Sequence, residues 1–512
     1  MTAILPSLSA PSAALGRLRA PRTAVPVIAG LVAMLVTAIG SWVPSLWGDE
    51  AASALSAQRS LPSFLHEVTH VDAVHAVYYA GLHVWVALFG ASPFALRFPS
   101  AIATGLTIAG LIVFVRLFDR GWRLALTAAV IALLLPRIDF AGVEARGYAW
   151  TAAFATWIAV IGVATLRGRL ERRRGWALFA LTAGAGTAVN PYVGSMIVVI
   201  GCLAVAWTGR GAPAQAAQLR GWAGASAVAL VLAAPVIVFG ALERHQVAFL
   251  AHRPMPAKTW LVSQWFASDP LAWLGWALLL LAVVVMIARR EERLDRGLGL
   301  TLVLWAGLPS AFLIGTIPTL HNYSPRYLTF TAPAAAVLMA LGVEAIARSW
   351  KPAGLAVLVA VLLASAPKYA QYRTPYAEND SDWANVGHVV AVTARPGDQI
   401  AFDEVVRPSR RPENAYRLYP KDFAAVTVPQ LVLPYQDGTT WHDGLLTIEA
   451  AAAQHRFTAG TVFAVEADFP GEGVVDGDGV PALERAGYRV VAHWRLHSDL
   501  VLELDRPGVG RS

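Results

Sequence analysis

The chain has 512 residues, of which 56% are hydrophobic and only 15% are charged, and its mean hydropathy is +0.51. Soluble domains usually carry about 25% charged residues, so this composition excludes an ordinary soluble protein and predicts an integral membrane protein. The net charge of +7 reflects arginines beside membrane segments and does not indicate nucleic-acid binding. Cys202 is the single cysteine, so no intrachain disulfide can form.

Recurring apolar runs predict about eleven transmembrane helices, because each run approaches the length that crosses the hydrocarbon core. The runs are residues 24–43, 95–117, 122–136, 147–166, 175–189, 191–207, 221–241, 271–288, 299–317, 327–347 and 353–366. Arg17, Arg19 and Arg22 precede the first run, and no small-residue cleavage site follows before Trp42. We therefore expect an uncleaved anchor and not a signal peptide.

A further apolar stretch, His75–Phe89, is rich in histidine and aromatic residues, which is typical of a helix that lies in the membrane interface. If this stretch does not span, the arginine-rich loops all fall on one side, as the positive-inside rule predicts for the cytoplasm. The N-terminus is then cytoplasmic. The opposite, extracytoplasmic side holds the C-terminal tail and the loops at 44–94, 137–146, 242–270 and 318–326.

The C-terminal tail differs in charge from the rest of the chain. Residues 367–512 hold 20 of the 34 acidic and 14 of the 41 basic residues, whereas the first 366 residues carry a net charge of +13. The shift predicts a cytoplasmic segment at 1–23, a membrane domain at 24–366 and a soluble extracytoplasmic domain at 367–512. Helical stretches in the tail alternate with short β-rich runs, which indicates a small α/β domain without catalytic residues. The helical stretches are 383–394 and 482–486, and the β-rich runs are 399–402, 461–465, 488–493 and 500–504.

The chemistry is expected at Trp47-Gly-Asp49-Glu50, just beyond the first apolar run. A carboxylate beside hydrocarbon is partly desolvated, which raises its pKa and its strength as a general base. Asp49 and Glu50 are therefore the candidate catalytic pair. Adjacent acids also suit the N-terminus of a helix at Ala51–Ala57, so the pair has a structural interpretation as well.

The start of the interfacial helix carries a second group of candidates. His75 and Tyr79 are one helical turn apart and share a face. With Asp72 they are expected to position substrate, and aromatic anchoring in the interface is the alternative. His70, Asp72 and His75 are residue types that can bind a metal. A metal site is nevertheless the less favoured interpretation, because nothing else in the sequence requires a metal.

Two arginine motifs occur at the outer ends of predicted helices. In Glu144-Ala-Arg146-Gly-Tyr148, the guanidinium can bind a phosphate with forked geometry or pair locally with Glu144. Glu144 and Tyr148 are candidates for positioning substrate.

The second arginine motif is His321-Asn-Tyr-Ser-Pro-Arg326-Tyr327, which leads into a helix whose free backbone N–H groups also favour an anion. A lipid phosphate would fit Arg326, Tyr327 and Arg146, and His321 is a further candidate for positioning substrate.

These motifs, in this order, resemble the GT-C superfamily of glycosyltransferases that use polyprenyl-phosphate sugars. The likeness is closest to family 39-like members, the protein O-mannosyltransferase and aminoarabinose transferase group, and covers about residues 25–350. One departure is Val74-His75-Ala76, where the family often has His-Pro-Pro or Lys-Pro-Pro. The matching segments are Trp47-Gly-Asp49-Glu50, His75 with Tyr78-Tyr79, Ala91-Ser-Pro-Phe-Ala-Leu-Arg97-Phe-Pro-Ser, Glu144-Ala-Arg146-Gly-Tyr148, and Pro325-Arg326-Tyr327 with Pro333.

The resemblance implies a GT-C membrane fold and an inverting sugar transfer outside the cytoplasmic membrane. The donor would be a polyprenyl-phosphate-linked sugar, with mannose the first expectation, and the acceptor a cell-envelope glycan, lipid or protein. Asp49 would be the general base, with Glu50 as the alternative, while Arg326 holds the lipid phosphate and Arg146 orients the donor. Membrane lipids are the expected surroundings, and no cofactor, metal or nucleic acid is expected.

Two other classes of protein are compatible with a polytopic membrane chain. A transporter or flippase of lipid-linked saccharides should carry charges near the bilayer midplane and often has inverted repeats, whereas here the non-cytoplasmic charges cluster at helix ends and no repeat is visible. A non-catalytic envelope assembly protein would tolerate the loss of Asp49.

Overall fold

The computed structural model describes residues 20–207, 213–243, 246, 255–288, 293–471, 473–475 and 479–508. Most of the predicted N-terminal cytoplasmic segment, residues 1–19, therefore lies outside the described residues. Each of the eleven predicted apolar runs corresponds to a helix. The helices of the membrane part are α1 (Ala20–Ala38), α2 (Gly48–Ala57), α3 (Leu61–Val68), α4 (Ala76–Phe89), α5 (Pro93–Leu117), α6 (Trp122–Leu134), α7 (Pro136–Gly142), α8 (Tyr148–Leu166), α9 (Arg172–Val189), α10 (Ser195–Trp207), α11 (Pro213–Leu242), α12 (Ala257–Leu261), α13 (Asp269–Ala288), α14 (Arg293–Gly315), α15 (Ile317–Leu320), α16 (Ala332–Ser349) and α17 (Lys351–Gln371).

Seven helices in the described part of the chain are long and apolar enough to cross a membrane. An eighth is added if α6 and α7 count as one span, bent by 64°. The bend follows from Pro136, because proline drives the preceding residue, Leu135, into an extended conformation. Helices α1, α9 and α10 do not meet the same length and hydropathy criteria, so the number eleven remains a prediction. The polytopic helical fold is confirmed.

Close helix approach in the membrane part depends on small residues. Helices α1 and α5 pack through Gly30 and Gly105, where an added Cβ would lie 2.8 Å and 2.6 Å from the facing backbone carbonyl. Without a hydrophobic driving force between helices in lipid, such backbone proximity supplies much of the packing energy. Helix α16 is buried along most of its length and packs against α6 and α13. The N-terminal ends of α5, α8 and α16 lie together because α8 packs both on α5 and on the turn Pro325–Thr331 that precedes α16.

The tail folds as the predicted α/β domain. Its strands β1, β2, β5, β6, β7 and β8 form one sheet in the order β2-β1-β5-β8-β7, with β6 paired to β5, and β3 pairs with β4 separately. Strand β1 is parallel to β2 and β5, and the remaining pairs are antiparallel. The elements are α18 (Trp383–Thr393), β1 (Asp398–Phe402), α19 (Asn414–Leu418), β2 (Val426–Thr427), β3 (Leu431–Leu433), β4 (Gly444–Leu445), α20 (Ile448–Ala453), β5 (Thr461–Phe469), β6 (Gly473–Val475), α21 (Gly479–Arg485), β7 (Arg489–Arg495) and β8 (Asp499–Asp505).

The tail domain is docked on the segment that begins α2. The phenol of Tyr419 accepts a hydrogen bond of 2.9 Å from the Leu46 amide, and Arg59 donates to the Gly438 carbonyl at 3.0 Å. A Cβ on Gly48 would lie 2.1 Å from the Ser409 carbonyl oxygen, so only glycine permits this contact. The tail domain and the loop that carries Asp49 therefore lie at the same end of the helical bundle.

Candidate active site

The site begins at the N-terminus of α2, where Asp49 and Glu50 occupy the first turn. The partial positive charge of a helix N-terminus favours carboxylates at this position. The two side chains nevertheless have different surroundings. The side chain of Asp49 is 25% exposed, whereas that of Glu50 is fully buried.

Glu50 is held in a buried ion pair with Arg97 of α5. Arg97 Nε lies 2.7 Å from Glu50 Oε1, and Nη2 lies 2.5 Å from Oε2, which is the bidentate geometry of a strong pair. The Ala145 amide donates a third hydrogen bond of 2.8 Å to Glu50 Oε1. The sequence pattern did not predict a role for Arg97. An arginine next to a long apolar run is the signal that could have identified it.

Asp49 contacts a different arginine. Arg326 Nη1 lies 2.6 Å from Asp49 Oδ2 and 3.3 Å from Glu144 Oε1, so one guanidinium joins two carboxylates from distant parts of the sequence. Arg326 belongs to the 3₁₀ turn Pro325–Thr331 that leads into α16, and its side chain is 28% exposed. Glu144 lies in the turn between α7 and α8, and its side chain is fully buried.

The structure corrects the expectation that Asp49 has a raised pKa. Burial opposes ionisation of the carboxyl group, but the guanidinium groups of Arg326 and Arg146 outweigh it and lower the pKa of Asp49. Glu144 behaves in the opposite way, because burial is the dominant effect and raises the pKa of its carboxyl group to about 7. The two acids on Arg326 are therefore expected to differ in charge near neutral pH.

Arg146 organises the predicted positioning group. Its Nη1 donates to the Tyr79 hydroxyl at 2.9 Å, and its Nη2 donates to His75 Nε2 at 3.0 Å. Tyr79 in turn donates to Asp72 Oδ2 at 3.0 Å. Arg146 also donates to the Asp49 carbonyl at 3.2 Å, so it fixes the first turn of α2 through the backbone. The prediction that His75 and Tyr79 share a face is confirmed.

Aromatic rings enclose the guanidinium of Arg326. Trp47 and Tyr148 lie on it with centroid distances of 5.4 Å and 5.6 Å, which is within the range of cation–π attraction. Tyr327 lies 6.4 Å from Tyr148 and is stacked on Tyr192 at 5.6 Å. These rings form an apolar wall beside the charged cluster.

The buried polar atoms of the site that have no hydrogen-bond partner among the described residues include Glu144 Oε2 and Arg146 Nε. An unsatisfied buried polar group costs about 1–3 kcal/mol, so such atoms at the centre of a charged cluster suggest a polar ligand. An anion beside the two guanidiniums and a hydroxyl beside Glu144 would match this set of groups.

One predicted site residue does not join the cluster. His321 is exposed at a left-handed turn that ends α15, and no side-chain contact connects it with the cluster in the described part of the chain. His70 is exposed and bonds the His66 carbonyl at 2.7 Å. No group of three or more potential metal ligands occurs among the described residues.

A shallow cleft lies between the start of α2 and the tail domain. Trp47 and Gly48 line it from the membrane part, and Trp383, Arg410 and Phe469 line it from the tail. Because Trp47 also lies on Arg326, this residue belongs both to the cleft and to the charged cluster.

Comparison with solved structures identifies the architecture. ArnT from Cupriavidus metallidurans in the apo state matches 94% of this chain and 98% of its own length, with a TM-score of 0.56 and 14% identity. The chain has the GT-C fold. The GT-C oligosaccharyltransferase AglB from Archaeoglobus fulgidus, solved with an inhibitory peptide and a dolichol-phosphate, matches 86% of this chain and 69% of its own, at a TM-score of 0.50 and 11% identity.

A third GT-C structure, the arabinofuranosyltransferase AftD from Mycobacteria, matches 97% of this chain at a TM-score of 0.50 and 16% identity. The chain spans only 40% of the length of AftD. No protein-family model and no curated protein matches the sequence.

Proposed function

We propose that the chain is a membrane glycosyltransferase that transfers a sugar from a polyprenyl-phosphate donor to a cell-envelope acceptor, with inversion at the anomeric carbon. The observation that carries the proposal is the ion pair of 2.6 Å between Asp49 and Arg326, which joins a candidate base to a candidate phosphate ligand in a partly exposed position. The GT-C fold and the dolichol-phosphate bound to AglB support it.

In this proposal the donor phosphate binds to Arg326, whose guanidinium is 28% exposed and already oriented by Trp47 and Tyr148. Arg146 adds positive charge at the same place, and its unpartnered Nε is available for a donor oxygen. Guanidinium groups stabilise the phosphate as it leaves with the electron pair of the broken bond. Tyr327 extends the aromatic wall toward the lipid part of the donor.

Donor binding would also activate the base. Asp49 is ionised but weakly basic while it contacts Arg326, because the guanidinium lowers its pKa. A phosphate on Arg326 competes for the same positive charge, so the pKa of Asp49 rises when the donor is present. Asp49 then accepts the proton of the acceptor hydroxyl as its oxygen bonds to the anomeric carbon and the carbon–phosphate-oxygen bond breaks.

The remaining residues divide into two roles. We assign positioning to Glu50, since Arg97 and the Ala145 amide occupy its carboxylate, and the alternative of Glu50 as base is set aside. Asp72, His75 and Tyr79 orient Arg146, and Glu144 with its unpartnered Oε2 binds a sugar hydroxyl. Tyr148 completes the ring enclosure of Arg326, and His321 receives no role.

Mannose remains the first expectation for the sugar. The proposed orientation has a cytoplasmic N-terminus, with Asp49 and the tail domain on the extracytoplasmic side of the cell membrane. The acceptor, a glycan, lipid or protein, would approach along the cleft at Trp47, which lies beside α2 on the side of the tail domain.

The test uses the full chain in nanodiscs with polyprenyl-phosphate mannose and related donors. Transfer and donor binding are measured for wild type, Asp49→Asn, Glu50→Gln and Arg326→Ala. We expect Asp49→Asn to bind donor but lose transfer by about 100-fold or more, as expected for loss of a general base. Arg326→Ala should lose donor binding, and Glu50→Gln should retain most of the transfer activity.

The matched control is Asp119→Asn, which removes an exposed carboxylate paired with Arg169, 3.0 Å away, and should change nothing. If Asp49→Asn transferred sugar at the wild-type rate, Asp49 would not be the general base. Wild-type protein that binds no lipid-phosphate sugar would contradict the function itself, and transport or envelope assembly would then be tested.

A further inference from the structure

The linker between α17 and α18, residues 372–382, joins the membrane part to the tail domain and is fixed at both ends. At its beginning, the guanidinium of Arg373 donates to both carboxylate oxygens of Asp139, at 2.8 Å and 3.0 Å. At its end, the carboxylate of Asp382 accepts a hydrogen bond of 2.6 Å from the His497 amide of the tail. The path of the linker is therefore set by both domains together.

The middle of the linker contacts the backbone segment that also holds Arg97. The Ser45 amide donates to the Pro375 carbonyl at 2.9 Å, and the Ser381 hydroxyl donates to the Leu46 carbonyl at 2.7 Å. The guanidinium of Arg97 donates to the carbonyl of the same Ser45 at 3.1 Å. The part of the linker between Pro375 and Ser381 therefore lies close to Arg97.

Glu378 is the residue that the linker buries at this position. The next two residues, Asn379 and Asp380, both adopt the left-handed conformation, with φ of 54° and 59°. Asparagine and aspartate tolerate this conformation better than most other residues, so they suit the turn that follows Glu378. Only 2% of Glu378 is exposed, and its Oε1 has no hydrogen-bond partner among the described residues. Such a buried polar atom is costly and calls for a functional explanation.

Charged groups from four elements act on the Glu378 carboxyl group. Glu50 of α2 and Glu144 of the turn before α8 disfavour its ionisation, whereas Arg97 of α5 and Arg326 of the turn before α16 favour it. Burial is the largest effect, and with the two acids it raises the pKa of Glu378 well above its usual value. Other titratable groups are Tyr419, which acts on Arg97 from the tail, and those of the linker itself, Tyr372, Arg373, Tyr376, Asp380 and Asp382.

The charge of Glu378 determines how Arg97 is shared. While Glu378 is neutral, Arg97 keeps its two hydrogen bonds to Glu50, which hold the first turn of α2 and with it Asp49. After Glu50, Glu378 is the acid that acts most strongly on Arg97, so an ionised Glu378 would compete with Glu50 for the same guanidinium. The first turn of α2 would then lose part of its anchor.

We propose that Glu378 is a positioning residue of the transfer reaction, which leaves Arg97 to Glu50 and thereby keeps Asp49 in place. Glu378 acts as a neutral acid and does not touch the substrate. Because the linker is fixed on the tail domain as well, the geometry of the general base depends on the docking of the tail. This inference rests on the proposed function, since the residue that is positioned is its general base.

The experiment measures transfer by the full chain in nanodiscs as a function of pH, with polyprenyl-phosphate mannose as donor. As the pH rises and Glu378 ionises, the kcat of wild type should fall by up to about tenfold per pH unit, the limit for a single ionisation. The KM for the donor should stay constant, because Arg326 still binds the phosphate. Glu378→Gln should keep its kcat at alkaline pH, since the amide resembles the neutral acid and cannot ionise.

Glu413→Gln is the matched control. Glu413 is another buried acid of the tail, only 4% exposed, and burial and Glu404 raise its pKa as well. Its variant should follow the wild-type pH profile. Thermal midpoints report folding independently of transfer: Glu378→Gln should gain stability over wild type as the pH rises, because a group whose folded-state pKa is raised destabilises the fold when it ionises.

The outcomes separate the two proposals. A purely structural role would change the amount of folded protein but not the shape of the pH profile. The role of Glu378 alone is overturned if wild type shows no alkaline loss of kcat, if Glu378→Gln shows the same loss as wild type, or if Glu413→Gln removes the loss equally well. Wild-type protein that transfers no sugar at any pH would refute the proposed function, and the positioning role with it.

Discussion

The pair of Glu50 and Arg97 allows a quantitative test of how the first turn of α2 is held. Replacing Arg97 by Met removes a guanidinium that makes two hydrogen bonds to Glu50 and three to backbone carbonyls, at 2.7 Å to Ser41, 2.8 Å to Pro44 and 3.1 Å to Ser45. Both side chains are fully buried, so water cannot substitute for the lost partner.

The expected loss can be estimated from these contacts. Breaking a buried ion pair by removing one partner typically costs about 3–5 kcal/mol, because the other charge remains buried without compensation. In Arg97→Met the buried carboxylate keeps only the hydrogen bond from the Ala145 amide. Adding Glu50→Gln removes that charge, so the double variant should recover about 2–3 kcal/mol relative to the sum of the single variants.

The assay is denaturant unfolding of the full chain in detergent micelles for Glu50→Gln, Arg97→Met and the double variant. The exposed pair of Asp119 and Arg169 provides the matched control cycle, whose coupling should stay below about 1 kcal/mol. The reasoning is refuted if the effects of Glu50→Gln and Arg97→Met add to within about 0.5 kcal/mol, since independent sites add in that way.

Two further predictions concern the same region. Gly48→Ala should destabilise the contact with the tail domain by about 1–3 kcal/mol, because its Cβ would lie 2.1 Å from the Ser409 carbonyl oxygen. Limited proteolysis near residue 371 should detect this, whereas Gly81→Ala, with nothing within 4 Å of the added Cβ, should behave as wild type. Glu144 has a folded-state pKa of about 7, above its unfolded value, so its ionisation lowers stability as pH rises from about 4.3 to 7. Glu144→Gln should therefore gain stability over wild type at pH 8 relative to pH 5, by up to about 3 kcal/mol, and a pH-independent difference in thermal midpoint would contradict this assignment.

Much of the fold could be predicted from the sequence because apolar runs and turn residues are local signals. The helices at all eleven runs and the α/β tail were predictable in this way. The break at Leu135 was missed, although Pro136 was the signal for it. Helix α3 was missed as well, because Leu61–Val68 is too short and mixed in character to be recognised by periodicity.

The candidate site was predictable as a set of residues but not as a set of contacts. Asp49, Arg146 and Arg326 were each identified by their positions at helix ends. The partner of each depends on tertiary packing, since 277 residues separate Arg326 from Asp49 and 47 separate Arg97 from Glu50. The direction of the Asp49 pKa shift was wrong for the same reason: desolvation was visible from the apolar context, but the opposing guanidiniums were not.

The contact at Gly48 limits how this architecture can be recombined. A chimera that exchanged only the tail for that of another protein would place a new turn against the first residue of α2, next to Asp49. The tail domain is therefore not a freely exchangeable module, and a functional exchange would have to transfer Trp47-Gly48 together with Pro408–Arg410. Divergence of acceptor preference in such proteins should accordingly involve paired changes on both sides of this contact.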